Sequence, residues 1–143
     1  MVKRQSVGLL VALALNLLMI QDVFAFESLV VSMNDDNFDE KIKEYDWILV
    51  EFFAPWCHHC VALAPEYEKA AKMLSTSKPP QSLAKVDATV NNKLANRFEI
   101  QGYPTMILFK DGKKYMNYPD NGSRKADGIG IWVLQHTKKK KST

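Results

Sequence analysis

The chain has 143 residues, 47% of them hydrophobic and 24% charged, which suits one globular domain with its own core and excludes a disordered chain. Its net charge of +3 rests on four consecutive lysines, Lys138 to Lys141, and the body is close to neutral or slightly acidic. No basic face or aromatic stripe marks it for nucleic acid.

The N-terminus reads as a secretory signal. Lys3 and Arg4 precede an apolar stretch over 7–20 interrupted only by Gly8 and Asn16, and Val23-Phe24-Ala25 places small residues where a signal peptidase cuts. The expected divisions are a signal peptide over 1–25, one domain over 26–137 and a basic tail over 138–143. The apolar stretch is shorter than the about 20 residues a bilayer requires, so no membrane span is expected after cleavage. Entry into the secretory pathway leads to a compartment where disulfides form.

Beyond the signal, 28–31 reads as a short strand. Asn34 or Asp35 is placed to cap a helix over 37–43, with Phe38, Ile42 and Tyr45 turned inward. Trp47 through Phe53 is an apolar run of strand type that contains one carboxylate, Glu51. A helix follows from Cys57, with Pro65 inside it and a kink expected there, until a polar loop over 75–80 ends it. A strand over 83–87 comes next, then a helix through Leu94, Ala95 and Phe98 with Asn91 as its cap. Gly102-Tyr103-Pro104-Thr105 interrupts the chain before a strand over 106–109, which Asp111-Gly112 turns into an antiparallel partner over 114–118. Asn121-Gly122 makes another turn, and a last helix runs from about Ser123 through Ile129, Trp132, Val133 and His136. Strands alternating with helices give an α/β class with a parallel core, and the late hairpin gives an antiparallel edge.

The chain's two cysteines, Cys57 and Cys60, sit where the long strand hands over to a helix N-terminus. Unpaired N–H groups and the positive end of the macrodipole favour an anion there, so Cys57 should be largely thiolate and able to attack a disulfide. Cys60, one turn further in, should stay protonated until it resolves the mixed disulfide. Two other uses of the pair compete. A structural crosslink over so short a loop removes only about 2 kcal/mol of chain entropy, and a chain of this length builds a core without it. Zinc has two Cys and two His on offer, but His58 and His59 are adjacent and hardly join both sulfurs around one ion within a single turn. No metal is assigned, and the Cys57-Cys60 pair itself is the only redox group expected.

The segment Glu51-Phe52-Phe53-Ala54-Pro55-Trp56-Cys57-His58-His59-Cys60 closely resembles the active-site segment of protein disulfide isomerase domains. Leu63-Ala64-Pro65-Glu66-Tyr67, Ala84-Lys85-Val86-Asp87-Ala88, Gly102-Tyr103-Pro104-Thr105 and Arg124-Lys125-Ala126-Asp127-Gly128-Ile129 resemble further blocks of that family, in order and at its spacing. The resemblance implies a thioredoxin fold: a mixed sheet with a parallel core and an antiparallel C-terminal hairpin, with helices on both faces. It implies a thiol-disulfide oxidoreductase that forms and rearranges disulfides in client proteins of the endoplasmic reticulum lumen, or outside the cell. Unfolded or cysteine-containing clients are the implied partners, with glutathione or an upstream thiol oxidase to restore the disulfide.

By position, Cys57 and Cys60 match the family's nucleophilic and resolving cysteines, and His59 matches the histidine that stabilises the thiolate. An imidazole with partial positive charge beside the sulfur favours the reduced form, which makes the disulfide a better oxidant. Glu51 matches a buried charged residue under the site and Lys85 its partner on the adjacent strand. Glu51 then takes a proton from Cys60, or serves only as half of an ion pair. Arg124 matches an arginine that approaches the site and favours ionisation of the second cysteine; its alternative is a solvated side chain at the start of a helix. Tyr103-Pro104 matches a cis-proline loop, and Trp56, Tyr103, Pro104 and Thr105 together form the implied substrate-binding surface.

The chain departs from the family pattern at His58, where glycine is usual, and at Val61, often lysine. A second histidine adds charge near the thiolate and also bulk in the path of large clients, two effects of opposite consequence. No Lys-Asp-Glu-Leu type retrieval signal is present, so residence in the endoplasmic reticulum follows from the family alone. Asn121-Gly122-Ser123 is a glycosylation sequon in an expected loop. A single domain should oxidise or reduce small substrates better than it rearranges scrambled ones. Two rival functions remain: a module that holds unfolded polypeptide through the surface around Pro104, and a reductase serving one dedicated partner.

Overall fold

The computed structural model describes residues 27–138 together with Gly8 and Val11. The remainder of the expected signal peptide, its cleavage site and the tail beyond Lys138 lie outside the described residues. In chain order the elements are β1 (Val30–Ser32), α1 (Phe38–Lys41) running into a 3-10 turn (Ile42–Glu44), β2 (Trp47–Phe53), α2 (His58–Ser75), β3 (Ser82–Asp87), α3 (Asn92–Arg97), β4 (Thr105–Lys110), β5 (Lys113–Asn117) and α4 (Ala126–Thr137).

The five strands form one sheet in the order β1-β3-β2-β4-β5. β1, β3 and β2 run parallel, which is the expected parallel core, and β4 and β5 are antiparallel additions on the other side of β2. The Asp111-Gly112 turn takes positive φ at both residues, 48° and 76°, as a two-residue hairpin of matching twist requires.

Central β2 is covered on both sides, which is why its sequence is nearly continuous in apolar residues. Leu49 faces α2 and α4, where Leu63, Tyr67, Leu74, Ile129 and Val133 join it. Ile48, Val50 and Phe52 face α1 and α3, where they meet Phe38, Ile42, Leu94 and Phe109. Phe98 closes that second layer with its ring 5.4 Å from Phe38, 5.6 Å from Phe52 and 5.1 Å from Phe109. By strand alternation Glu51 shares the Leu49 face, beneath α2. The buried Tyr67 hydroxyl lies 2.9 Å from the Leu49 carbonyl and 3.1 Å from that of Ala84, so one O–H fastens α2 over β2 and β3.

Several boundaries and caps differ from the sequence reading. The N-cap of α1 is Asn37, which makes no side-chain cap bond; Asn34 shapes the turn before it, its side-chain oxygen accepting the Asp36 and Asn37 N–H groups while the Asn37 side-chain oxygen accepts the Asn34 N–H. Asp35 instead reaches the far-off start of α3, accepting the N–H of Lys93 at 3.2 Å and of Leu94 at 3.0 Å. Asn91, the expected cap of α3, makes no side-chain cap bond; its amide donates to the Asp87 carbonyl and accepts the Asp35 N–H. The last helix starts at Ala126, not near Ser123, because the Ser123 hydroxyl oxygen accepts the Lys125 N–H and holds Lys125 extended. α2 passes through Pro65 as one element of 18 residues.

The cap on α3 yields a stability test. Asp35→Ala should lower the free energy of urea unfolding by about 1 kcal/mol, while Asp35→Asn, whose oxygen can still accept, should lose less. A wild-type midpoint for Asp35→Ala would show that the bond contributes nothing.

Candidate active site

β2 ends at Phe53, and the chain turns through Ala54-Pro55-Trp56 to bring Cys57 to the position just before α2. The Cys57 N–H donates to the Ala54 carbonyl at 3.1 Å, and the Cys57 backbone is extended, with φ −77° and ψ 118°. Its side chain thereby occupies the helix cap. The sulfur accepts the Cys60 N–H at 3.3 Å, where a serine or aspartate oxygen usually sits. Cys57 is thus itself the N-cap, and Cys60 lies one turn inside. On its other side the Cys57 thiol lies 3.6 Å from the Tyr103 carbonyl oxygen, to which it can donate. Cys57 is 8% exposed and Cys60 4%, packed with Ala54, Phe53 and Tyr103.

The two thiols are driven apart in acidity. Burial pushes the Cys57 thiol up, but a hydrogen bond from the Cys60 thiol, the N–H groups of Cys60 and His59, and the charge of Arg124 outweigh it and hold Cys57 below its ordinary value. Cys60 is pushed up to about 12, first by burial and then by its bond to Cys57, against the opposing pull of the Ala54 backbone. A site that favours the anion at one sulfur and the neutral thiol at the other has sorted an attacking group from a waiting one.

Glu51 lies inward of this pair, 4% exposed, and burial raises its carboxyl to about 7 against the opposing charge of Lys85. Glu51 and Lys85 are register partners on β2 and β3, yet their side chains do not close into the expected ion pair. Lys85 is only half-buried, so its charge acts on the carboxylate from a distance. A cavity of about 140 Å³ is bounded by both Glu51 and Cys60, with Ala54, Ala64 and Lys85 on its walls. That volume holds a few water molecules at about 30 Å³ each.

Around the sulfurs the expected surface residues assemble. Trp56 is 71% exposed and meets Tyr103 edge-on at 5.8 Å. The Tyr103-Pro104 peptide is cis, Tyr103, Pro104 and Thr105 are half-buried, and the Thr105 hydroxyl donates to the Gly102 carbonyl at 2.7 Å. His58 and His59 are exposed on the first turn of α2. Asn121 is exposed in the turn closed by the Gly122 N–H on Pro119, and does not contribute to the site. Arg124 is half-buried on the segment before α4, and its charge favours the Cys57 thiolate.

Two participants escaped the sequence reading. The Tyr103 carbonyl is a backbone group and leaves no mark in residue types. Glu66 was visible only as part of a motif block; its carboxylate accepts the Ala126 N–H at 2.9 Å and so caps α4 from α2.

Comparison with known proteins agrees with the geometry. The thioredoxin family model matches residues 29–135. The chain is 51% identical over 105 residues to human protein disulfide-isomerase A4, a match covering 73% of this chain and 16% of that protein. It is 52% identical over 103 residues to the Zea mays protein disulfide-isomerase, covering 70% and 20%. The chain therefore spans no more than about a fifth of the length of these two curated relatives. Among solved structures, the first thioredoxin domain of mouse protein disulfide-isomerase A4 superposes with a TM-score of 0.71 at 40% identity, over 82% of this chain and 81% of that one. Human ERp44 form I gives 0.72 at 28% identity, over 79% and 30%. The sheet order, the Cys57-Cys60 pair at the head of α2 and these matches together establish that the chain belongs to the thioredoxin family, as a domain of the protein disulfide isomerase type.

Proposed function

We propose that the chain is a thiol-disulfide oxidoreductase acting on cysteine-containing polypeptides of the secretory pathway through Cys57 and Cys60. The observation that carries this reading is the Cys57 sulfur seated as the N-cap of α2, accepting the Cys60 N–H at 3.3 Å, with Cys60 buried one turn inside. In the reducing direction the Cys57 thiolate attacks one sulfur of a client disulfide, the client S–S bond breaks, and the second client sulfur leaves as thiolate. Cys60 then loses its proton and attacks the Cys57 sulfur, which frees the client and leaves the Cys57-Cys60 disulfide. Oxidation of a client dithiol is the same sequence reversed, with two electrons passing to the protein disulfide. Glutathione or an upstream thiol oxidase then resets the pair, and a thiolate held as stable as that of Cys57 favours the oxidising direction.

Each site residue takes a part in this scheme. A thiol as weakly acidic as Cys60 needs a base at the moment of resolution, and Glu51, at about 7 and sharing a cavity with it, is poised for that proton transfer through water. The charge of Arg124 favours the Cys57 thiolate, and His59 contributes its backbone N–H. Trp56, Tyr103, Pro104 and Thr105 offer polypeptide an aromatic and backbone surface beside the sulfurs. The exposure of Trp56 also favours a second reading, simple holding of unfolded chains.

Cys57→Ser separates the two: exchange with a disulfide peptide should fall to the uncatalysed rate while peptide binding persists, and retained catalysis would rule out the enzyme. In Cys60→Ser the mixed disulfide with the client should accumulate and be visible by mass. Glu51→Gln should leave alkylation of Cys57 intact but slow release from the mixed disulfide by roughly tenfold or more, within the range a positioned base supplies. Glu51 also makes stability depend on pH. Its folded-state value lies above the ordinary 4.5, so the protonated form favours folding and stability falls as pH rises from about 4.5 past about 7. Glu51→Gln should therefore match wild type near about pH 4 and exceed it by up to about 3 kcal/mol above about pH 8 in urea unfolding.

A further inference from the structure

The turn between β5 and α4 holds one residue that the fold does not use. Gly122 is required there, since a Cβ would lie 2.3 Å from the Tyr118 ring and 2.9 Å from the Pro119 carbonyl oxygen. Ser123 is engaged twice: its carbonyl accepts the Tyr118 hydroxyl at 2.6 Å, and its hydroxyl oxygen accepts the Lys125 N–H at 3.2 Å. That hydroxyl also sits against Gly128, where an added Cβ would meet it at 2.3 Å. Asn121, by contrast, is exposed beside the exposed Asp120, and its side-chain amide makes no hydrogen bond with the described residues. Asn121-Gly122-Ser123 is an acceptor sequon for an N-linked sugar, with no proline at its middle position.

The place of the turn in the fold is fixed by the edge strand. The Tyr118 N–H donates to the Met106 carbonyl at 2.8 Å, near the start of β4. β4 is antiparallel to β2 with Thr105 opposite Phe52, so the turn stands at the end of the sheet where β2 delivers Cys57. β5 is two strands out from β2, which puts the turn about 10 Å to the side of that strand. A bulky group on Asn121 would project from the rim of the sulfur-bearing end.

We propose that Asn121 carries an N-linked oligosaccharide, attached before the segment over 119–125 closes against α4. The inference rests on the reading that the chain enters the secretory pathway, where the donor, an oligosaccharide on a lipid diphosphate, is supplied. Nδ2 of Asn121 displaces the diphosphate from the first sugar: the N–C1 bond forms as the C1–O bond breaks, the amide gives up one proton, and nothing is oxidised or reduced. A transferase reads such an acceptor through the serine hydroxyl two residues on, in an open chain. In the folded protein that hydroxyl is committed to Lys125 and Gly128, and the Ser123 carbonyl to Tyr118. The sequon is presented only while the segment is open. The competing explanation is that Asn121 serves the turn by its backbone preference alone, in which case the side chain stays bare.

The test is production of the whole chain, with its own N-terminus, in a eukaryotic secretory host, with a second sequon appended after Thr143 to report entry into the lumen. Two glycans should be attached, falling to one in Asn121→Gln and in Ser123→Ala and staying at two in Ser123→Thr. Peptide N-glycosidase should remove the mass and leave an aspartate in place of Asn121. Asn121→Gln breaks no bond of the fold, so melting should match that of the deglycosylated wild type. A glycan on the appended site alone overturns this inference; no glycan on either overturns it together with the secretory reading. The order of events is read with microsomal transferase and lipid-linked donor, comparing folded chain made in bacteria with a peptide of residues 117–127, which lacks β4 and Gly128. The peptide should be modified roughly tenfold faster or more, because the folded chain offers the sequon only on local opening. Equal rates overturn attachment before closure.

Discussion

A single bond organises the site: the N–H of Cys60 donated to the sulfur of Cys57 at the head of α2. A helix start has N–H groups that need acceptors, and here the acceptor is a sulfur that can carry a full negative charge. The same turn that fixes the sulfur places Cys60 underneath it, out of solvent, where the burial that makes the second thiol a poor acid also keeps it from reacting with the wrong partner. Position in the fold, rather than any unusual residue, separates the behaviour of two identical side chains.

The remainder of the domain keeps that turn in place. β2 delivers the chain to it from the centre of the sheet, bonded on one side to a parallel neighbour and on the other to an antiparallel one. Tyr67 then fastens α2 to the carbonyls of β2 and β3, so the helix cannot slide along the sheet without breaking a buried bond. Other parts of the chain act on the sulfur: Tyr103, from the end of the α3 connection, faces it with a carbonyl, and Arg124, from the approach to α4, acts on it through its charge. A site assembled from three separate parts of the chain needs the sheet to be rigid, and the apolar filling of both its faces supplies that rigidity.

Much of this architecture could be read from residue order. The apolar run of β2, the Asp-Gly hairpin and the alternation of strands with helices are consequences of periodicity and turn chemistry, which act locally, and the structure reproduces them. The cysteine pair was legible for the same reason, since a strand-to-helix junction follows from neighbouring residues. What remained hidden was everything that joins distant segments by a polar atom. Asp35 caps α3 and Glu66 caps α4, although local rules assign caps to nearby residues, and Asn91 gave up its expected role to Asp35, its amide bonded instead to the Asp87 carbonyl and the Asp35 N–H. Glu51 and Lys85 show the converse: adjacent register puts them side by side, but it does not make the longer side chains meet.

The chain has no cysteine beyond Cys57 and Cys60, and both are free thiols here. The architecture therefore stands without any covalent bridge, and the two redox forms can share one framework of hydrogen bonds and packed side chains. In such an arrangement the scaffold that presents the two sulfurs is held by packing and hydrogen bonds alone, separate from any bond the sulfurs themselves make or break.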